Sequence, residues 1–308
     1  MSDLAGLAES VAVDPLVGHP ADFHVFHKFL ERCKDLPAIT TAVVWPLSGV
    51  ALKGAVEAAE EGLILPTLIG DEAEMKALAA KIGVNINPYP ILQADTERKA
   101  AELGVCMCRT GGAQAMMKGS LHTDELMKVA MKADTGLRTN RRISHVFVMD
   151  TPAYPRTLLI TDAAINIEPE LEDKIHIVQN AIDLAHALGI PEPKVALLSA
   201  VETVNTKIKS TLDAAALCKM ADRGQITGGI LDGPLAFDTA VSAKAAKIRN
   251  WSRRSPGRPT FWWCPIWRAA ICWPSSLSTW AERSWRASCW ARACRRSSPA
   301  GPIRRRRG

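Results

Sequence analysis

The sequence predicts an α/β protein in which strands and helices alternate and the sheets are mostly parallel. Three observations carry this prediction. Short apolar runs alternate with longer segments whose apolar residues recur at helical spacing. Ser48 and Asp71 are placed to cap two of the helical segments, and the longest segment ends at Gly and Pro. Strands separated by helices in this way are typical of parallel, doubly wound sheets.

The first half of the chain has a regular order of elements. Residues 37–46 form an apolar run and predict a strand, and Ser48 is placed to cap the helix that follows. Asp71 stands in the same position before the next helix. The predicted elements are strands at 37–46, 63–69 and 113–117, and helices at 48–61, 71–82, 95–103 and about 123–132.

The second half continues the alternation. Gly189 and Pro191 end the longest predicted helix. The polar segment 135–142 interrupts the pattern, so we expect one α/β domain at 1–140 and a second at 141–250. The predicted elements are strands at 143–149, 157–161, 194–199 and 227–231, and helices at 171–188 and 204–220.

The net charge of +6 combines two regions of opposite sign. Residues 251–308 hold 13 Arg, no Lys and one acid, Glu282, so they carry +12 and leave −6 on residues 1–250. An acidic body argues against a nucleic-acid partner. The chain has neither a basic, apolar leader nor an apolar run that could span a bilayer, which predicts a cytoplasmic protein without a membrane partner.

Residues 251–308 also differ from the body in composition. Eight of the nine Trp lie there, and helical and strand spacing is lost. A natural basic tail and a shifted reading frame would each explain this, and codon degeneracy favours the frameshift. In another frame, residues 261–273 read Leu-Val-Val-Pro-Asp-Leu at their start, and residues 294–303 include Ser-Arg-Ala-Asp. As translated, we expect this tail to be disordered.

Two carboxylates follow the last predicted strand. That apolar run ends on Asp232, a Gly-Pro turn comes next, and Asp238 opens a helix six residues later. Ligands of open α/β sheets bind at the carboxyl ends of the strands. We therefore expect Asp232 and Asp238 to stand on either side of one strand-to-helix turn at a small-molecule site.

A second candidate site is the loop between the strand at 113–117 and its helix. It contains Gly119, Ser120, His122 and Thr123. A helix N-terminus offers amide donors and a partial positive charge, which suits phosphate. An ordinary helix cap with an exposed His122 fits the same residues, and the spacing is not that of a Walker loop.

Four more polar residues adjoin predicted strands. Asp162 and Asn166 either hold a ligand or stabilise a turn with their side chains. Ser144 opens a strand and Ser199 ends one, so each is a candidate for a cleft. Cys33, Cys106, Cys108 and Cys218 lack zinc-site spacing, which predicts buried thiols in a reducing compartment and no metal site.

Taken in order, these segments resemble the phosphate acetyltransferase/phosphate butyryltransferase family. The likeness runs from about residue 20 to 249. It implies reversible transfer of a short acyl group between coenzyme A (CoA) and inorganic phosphate, with CoA as a substrate and no cofactor. It also implies a homodimer whose chains have two αβα domains and an interdomain cleft, like the isocitrate and isopropylmalate dehydrogenases. The matching segments are 118–123, 144–149, 162–166, 194–199 and 231–247.

The resemblance assigns roles to the candidate residues. A carboxylate would take the proton of the CoA thiol, because the thiolate is the better nucleophile. The residues implied as catalytic are Asp232, Asp238 and Ser199, and those implied to bind substrate are Gly119, Ser120, His122, Thr123, Ser144, Asp162 and Asn166.

The chain departs from the family in its tail. The family's Pro-Asp-Leu and Ser-Arg motifs are absent from residues 251–308 as written and return only in the other frame. The first domain would then lack its usual C-terminal completion, and we expect the translated product to be inactive. Two alternatives are a dehydrogenase of related fold, whose nucleotide loop and clustered Asp set are not found, and a binding protein that uses the Arg/Trp tail.

Overall fold

The computed structural model describes residues 24–151, 154–162, 164–248 and 261–263. The chain divides between Asn140 and Arg141 into two compact units. Of the described residues, the N-terminal unit contains 32–140. The C-terminal unit contains 141–248 and 261–263, together with residues 24–31.

The N-terminal unit is built on a four-stranded parallel sheet in the order β3-β2-β1-β4. Its strands are β1 Ile39–Val44, β2 Ile64–Gly70, β3 Ile91–Gln93 and β4 Ala115–Lys118. The helices that begin before Asn140 are α1 His24–Cys33, α2 Gly49–Glu60, α3 Glu72–Ile82, α4 Glu97–Thr110 and α5 Thr123–Ala130.

The predicted helix caps are confirmed. The Ser48 hydroxyl accepts a hydrogen bond from the Ala51 amide at 3.3 Å. The Asp71 carboxylate accepts one from the Glu74 amide at 2.8 Å. Each of these bonds satisfies an amide that has no partner inside the helix, so the two helices begin where the sequence predicts.

Both faces of this sheet are covered by helices. Val43 and Leu68 pack with residues of α2 and α3, whereas Val44 and Ile69 pack with residues of α4 and α5. Neighbouring strand residues therefore serve opposite faces, as the pleat requires. On α4, a Cβ at Gly104 would lie 2.5 Å from Val44 Cγ2, so glycine allows this helix to approach the sheet closely.

The C-terminal unit is built on a five-stranded sheet in the order β5-β6-β9-β7-β8. The β5–β6 pair is antiparallel and the other pairs are parallel, which confirms the prediction of an α/β fold with mostly parallel sheets. The strands are β5 Val146–Thr151, β6 Tyr154–Thr161, β7 Lys194–Leu198, β8 Ile230–Leu235 and β9 Phe261–Trp263, and the helices are α6 Leu171–Ala187, α7 Lys209–Asp222, α8 Phe237–Val241 and α9 Ala243–Ile248.

Two apolar clusters enclose this second sheet. Leu159 and Leu197 pack with α6 and α7 on one face, while Leu158 and Ala196 pack with α8 on the other. An ion pair between Lys174 of α6 and Asp213 of α7 also lies in the interior, with side chains only 4% and 8% exposed. The helices are thus joined by both apolar contact and a buried charge pair.

Three differences from the sequence prediction matter for the site. β8 does not end at Asp232 but continues through Gly233 and Pro234 to Leu235, because its pairing with β7 resumes after a register shift. Asp232 is therefore within the strand, opposite Ala196, and not at a strand-to-helix turn. Residues 261–263, predicted to be disordered, form β9, and the rest of the tail lies outside the described residues.

Across the described ranges, no helix combines the length and apolar character needed to cross a membrane.

Candidate functional site

The strand order of the N-terminal unit brings two loops together. β1 lies between β2 and β4. The next two strands in the chain, β2 and β3, extend the sheet on one side of β1, and β4 then pairs with its other side. The loops after β1 and β4, residues 45–48 and 118–122, leave the carboxyl ends of these adjacent strands. In open α/β sheets a reversal of strand order of this kind is where ligands bind.

These two loops are in direct contact through their backbones. The Gly119 amide donates to the Val44 carbonyl at 2.8 Å. Ser120 donates to the Trp45 carbonyl twice, from its amide at 2.9 Å and from its hydroxyl at 3.0 Å. A Cβ at Gly119 would lie 2.2 Å from the Trp45 oxygen, so only glycine fits. Trp45 has a φ of 56°, a left-handed conformation that is uncommon outside glycine.

The Lys118 side chain hydrogen-bonds to the backbone of the 118–122 loop. Its ammonium group donates to the carbonyl oxygens of Gly119, at 3.2 Å, and of Leu121, at 2.8 Å. Partial burial lowers the pKa of this amine from its usual value. The lysine therefore links two carbonyls of the loop and fixes its path.

The loop ends at the N-terminus of α5. His122 is the N-cap residue, is exposed, and makes no side-chain hydrogen bond to the helix amides. The first turn also carries Asp124 and Glu125, which pair with Lys128 at 3.2 and 2.5 Å. The hydrogen bond from Lys128 lowers the pKa of Asp124. This end of the helix thus combines amide donors with carboxylates that a lysine partly neutralises.

Ser144, Asp162 and Asn166 lie in one hydrogen-bond network of the C-terminal unit. Asp162 Oδ1 accepts from the amides of Ala164 and Ile165, both at 3.1 Å. Asn166 Nδ2 donates to the Ile143 carbonyl at 2.9 Å and to Asp162 Oδ2. These bonds match the turn-stabilising alternative for Asp162 and Asn166.

Arg142 and Asn180 complete this network. Arg142 donates from Nε to Asn166 Oδ1 at 2.6 Å and from Nη1 to Asp173 Oδ1 at 2.7 Å. Asn180 Nδ2 donates to Ser144 Oγ and to the Arg142 carbonyl, both at 2.9 Å. Asn180 belongs to α6, and no sequence spacing relates that helix to residues 142–144.

Ser199 lies at the carboxyl end of β7, as predicted. Its amide donates to the Leu235 carbonyl at 2.9 Å, which links the ends of β7 and β8. Its hydroxyl is 2.8 Å from that of Ser210, in the first turn of α7. Either hydroxyl could be the donor in this bond.

The two predicted carboxylates occupy different environments. Asp232 Oδ1 accepts from the Gly233 amide at 3.0 Å, and its buried Oδ2 has no hydrogen-bond partner in the part of the chain that the structure describes. Burial, with a smaller contribution from Asp232, raises the pKa of the Cys218 thiol to about 12. Asp238 is exposed in the first turn of α8, beyond the end of the strand.

The structure therefore groups the predicted residues within each unit. Gly119, Ser120 and His122 lie in one loop of the N-terminal unit, and Thr123 is the first residue of the helix that follows it. In the C-terminal unit, Ser144, Asp162 and Asn166 share a network, and Ser199 lies at the strand ends. Over the described residues, no group of three or more His, Cys, Asp or Glu side chains has the geometry to hold a metal ion.

Known proteins are similar in sequence to this chain over 70–78% of its length. The chain is 55% identical over 216 residues to a phosphate acetyltransferase of Rhizobium meliloti, covering 70% of this chain and 68% of that protein. It is 49% identical over 228 residues to a phosphate acetyltransferase of Rickettsia prowazekii, covering 74% and 65%. It is also 38% identical over 240 residues to a phosphate butyryltransferase of Clostridium acetobutylicum, covering 78% and 80%. The chain thus spans about two thirds of the length of these acetyltransferases.

Solved structures agree with the sequence comparison. A branched-chain phosphotransacylase from Enterococcus faecalis superposes with a TM-score of 0.66 at 28% identity, covering 79% of this chain and 85% of that one. A phosphotransacetylase from Streptococcus pyogenes has a TM-score of 0.67 at 20% identity, covering 84% and 85%, which supports the fold alone.

The fold is that of an α/β protein with polar loops at the carboxyl ends of parallel strands. The family model described as phosphate acetyl/butaryl transferase then matches residues 93–260. These residues include the 118–122 loop and the candidate residues of the C-terminal unit, which are Ser144, Asp162, Asn166, Ser199, Asp232 and Asp238. The chain belongs to the phosphate acetyl/butyryl transferase family.

Proposed function

We propose that this chain is built to exchange a short acyl group between CoA and inorganic phosphate, in either direction. The observation that carries this proposal is the 55% identity to a phosphate acetyltransferase over 216 residues. In one direction a phosphate oxygen attacks the thioester carbonyl, the C–S bond breaks, and the CoA thiolate leaves and takes up a proton. The products are an acyl phosphate and CoA.

The 118–122 loop is the proposed phosphate site. Gly119 keeps the loop close to the Trp45 carbonyl, and Ser120 is fixed there by two hydrogen bonds. His122 and Thr123 stand at the N-terminus of α5, where backbone amides favour an anion. The Asp124 and Glu125 carboxylates oppose an anion, and their pairing with Lys128 reduces that effect.

The C-terminal unit supplies the proposed catalytic groups from within β8, from the end of β7 and from the first turn of α8. Asp232 is the stronger candidate base, because its Oδ2 lacks a hydrogen-bond partner among the described residues. With Ser210 as the donor of the bond between the two hydroxyls, the Ser199 hydroxyl would donate its own proton to the substrate. Asp238 is proposed as a second catalytic carboxylate. Ser144, Asp162 and Asn166 are proposed to bind substrate. Their hydrogen-bond network would hold the backbone around Ser144 and Asn166 in the conformation that binding requires.

Several broader features are part of the same proposal. The chain would have an isocitrate/isopropylmalate dehydrogenase-like fold. Its two domains would comprise residues 1–140 and 141–250. The protein would be a cytoplasmic homodimer with CoA and phosphate as its substrates and no cofactor. The CoA and phosphate substrates rest on the family match, and the other features are proposed as what the family resemblance implies.

We also propose that the gene carries a frameshift near codon 250, so that the translated chain is inactive. The family match ends at residue 260, close to the composition break. The coding DNA around this position tests the shift directly.

Thiol release from acyl-CoA tests the activity. Acetyl-, propionyl- and butyryl-CoA are incubated with and without phosphate, using the chain as translated and the frame-corrected protein. We expect phosphate-dependent release of CoA from the corrected protein and none from the translated chain. A folded, corrected protein without phosphate-dependent release for any short thioester would contradict the proposed function.

A further inference from the structure

The ammonium group of Lys118 has a proton that the loop around it does not use. Lys118 is the last residue of β4, and its Nζ donates to the carbonyl oxygens of Gly119 at 3.2 Å and of Leu121 at 2.8 Å. An ammonium group has three protons, each able to donate a hydrogen bond. In the part of the chain that the structure describes, Nζ makes no further hydrogen bond, so one donor is left for another group.

The positive charge of Lys118 also lacks a carboxylate in direct contact. The side chain is partly buried, and burial lowers the pKa of its ammonium group, while the charge of Glu97 acts in the opposite direction. Among the described residues, neither Glu97 nor any other acid forms an ion pair with Lys118. Lys174, by contrast, is buried and pairs with Asp213. Because charges withdrawn from water are normally paired, the Lys118 ammonium group suits an anion from outside the chain.

This ammonium group lies beside the start of α5. It contacts the carbonyl of Leu121, the residue before the N-cap residue His122. The His122 side chain does not cap the helix, and the first amides of a helix have no acceptor inside it. Asp124 and Glu125 in the first turn oppose an anion, and both pair with Lys128. Two sources of positive potential, an ammonium charge and a helix N-terminus, therefore adjoin one loop.

We propose that Lys118 is the residue that holds orthophosphate at the 118–122 loop, donating its remaining ammonium proton to a phosphate oxygen. This inference rests on the proposed function, which places phosphate at this loop, and it adds a full positive charge to the backbone amides. A hydrogen bond between an ammonium group and a phosphate oxygen is charge-assisted, so it is stronger than a bond between neutral groups. The bonds to Gly119 and Leu121 orient the ammonium group, so that its remaining proton meets the anion in one position.

Isothermal titration calorimetry of orthophosphate with the full chain as translated tests this role, because the loop precedes residues 251–308. Lys118→Gln removes the charge and keeps a side-chain N–H donor for the loop. We expect orthophosphate to bind the parent, and its affinity to fall by at least about tenfold in the folded variant at constant ionic strength. An unchanged affinity in Lys118→Gln, or no binding of orthophosphate by the parent, would overturn the proposal.

Lys76→Gln is the matched control. Lys76 is exposed on α3 and pairs with Glu72, so its substitution should leave the orthophosphate affinity unchanged. If Lys118→Gln does not fold, reductive methylation of the parent takes its place. Orthophosphate should slow the methylation of Lys118, and not that of Lys76, relative to chloride at equal ionic strength. Equal methylation of Lys118 in the two salts would overturn the proposal.

CoA also carries phosphate groups, so it is titrated separately into the same proteins. We expect Lys118→Gln to leave the CoA affinity unchanged, and a loss confined to CoA would overturn the assignment to orthophosphate. A frame-corrected protein that binds orthophosphate through Lys118 but releases no CoA would contradict the proposed function and support this inference. Phosphate-dependent CoA release, with an unchanged orthophosphate affinity in Lys118→Gln, would contradict this inference alone.

Discussion

Ser120 donates two hydrogen bonds to the carbonyl oxygen of Trp45, one from its amide and one from its hydroxyl. This pair joins the loops after two adjacent parallel strands, β1 and β4. Gly119, the preceding residue, allows the contact because its hydrogen replaces a Cβ that would meet the Trp45 oxygen at 2.2 Å. The proposed phosphate loop therefore depends on a backbone approach that side chains would prevent.

Gly119→Ala should destabilise the protein and disrupt this loop. The new methyl group would also lie 2.6 Å from the Val44 carbonyl oxygen, so backbone atoms must move. We expect a loss of about 1–3 kcal/mol in the free energy of unfolding, measured by urea denaturation. Gly54→Ala is the matched control, since its Cβ meets nothing within 4 Å and it lies inside α2. That change should stabilise the protein by about 0.5–1 kcal/mol. A neutral Gly119→Ala would show that the loop does not need the close contact.

The buried pair of Lys174 and Asp213 should be costly to break from one side. Lys174→Met leaves the Asp213 carboxylate buried without the lysine ammonium, and we expect a loss of about 3–5 kcal/mol in urea denaturation. Lys174→Met combined with Asp213→Leu should recover much of that loss. The exposed pair Lys76–Glu72 provides the comparison, because Lys76→Met should cost less than about 1 kcal/mol. Equal losses at the two lysines would argue against burial as the cause.

The Cys218 thiol should make stability depend on pH above 9. Its pKa is about 12 in the folded protein, against an ordinary value of 9.0, because burial disfavours the thiolate. The unfolded chain therefore loses this proton first. The stabilisation is fully present below pH 9 and is lost as the pH rises toward 12, by at most ~1.4 kcal/mol per pH unit. Unfolding free energies from pH 7 to 10.5 should fall more steeply for the parent than for Cys218→Ala. Parallel curves would contradict this assignment.

Removing β9 should disrupt the C-terminal sheet. A chain that stops after Asn250 lacks the strand between β6 and β7, which leaves two buried edges unpaired. We expect it to be recovered as aggregates, whereas a chain that stops after Cys264 retains β9 and unfolds cooperatively. Size-exclusion chromatography followed by thermal unfolding distinguishes them. A soluble, cooperative chain ending at Asn250 would mean that β9 is dispensable.

Local patterns in the sequence predicted most of the fold. Ser48 and Asp71 marked helix starts correctly because capping depends on residues within one turn. The end of β8 was predicted wrongly, because Gly233 and Pro234 usually break strands and here pairing with β7 carries the strand past them. The strand at 261–263 was missed for a related reason. Its backbone pairs with β6 and β7, whereas its own sequence has no apolar periodicity that would predict a strand.

The candidate site was predicted in part. Local sequence located the 118–122 loop, because a strand, a glycine and a helix start follow one another there. It did not reveal that Trp45 supports this loop or that Arg142 and Asn180 hold the turn at Asn166 and Ser144. These contacts join segments that are distant along the chain, and they depend on the order of the strands in each sheet.

CoA release by the frame-corrected protein is the direct test of acyl transfer between CoA and phosphate. Free thiol is followed from acetyl-, propionyl- and butyryl-CoA, with and without added orthophosphate, on protein that is folded by circular dichroism. We expect release that depends on phosphate with at least one of these thioesters. Folded protein that releases no CoA in response to phosphate from any of them would contradict it.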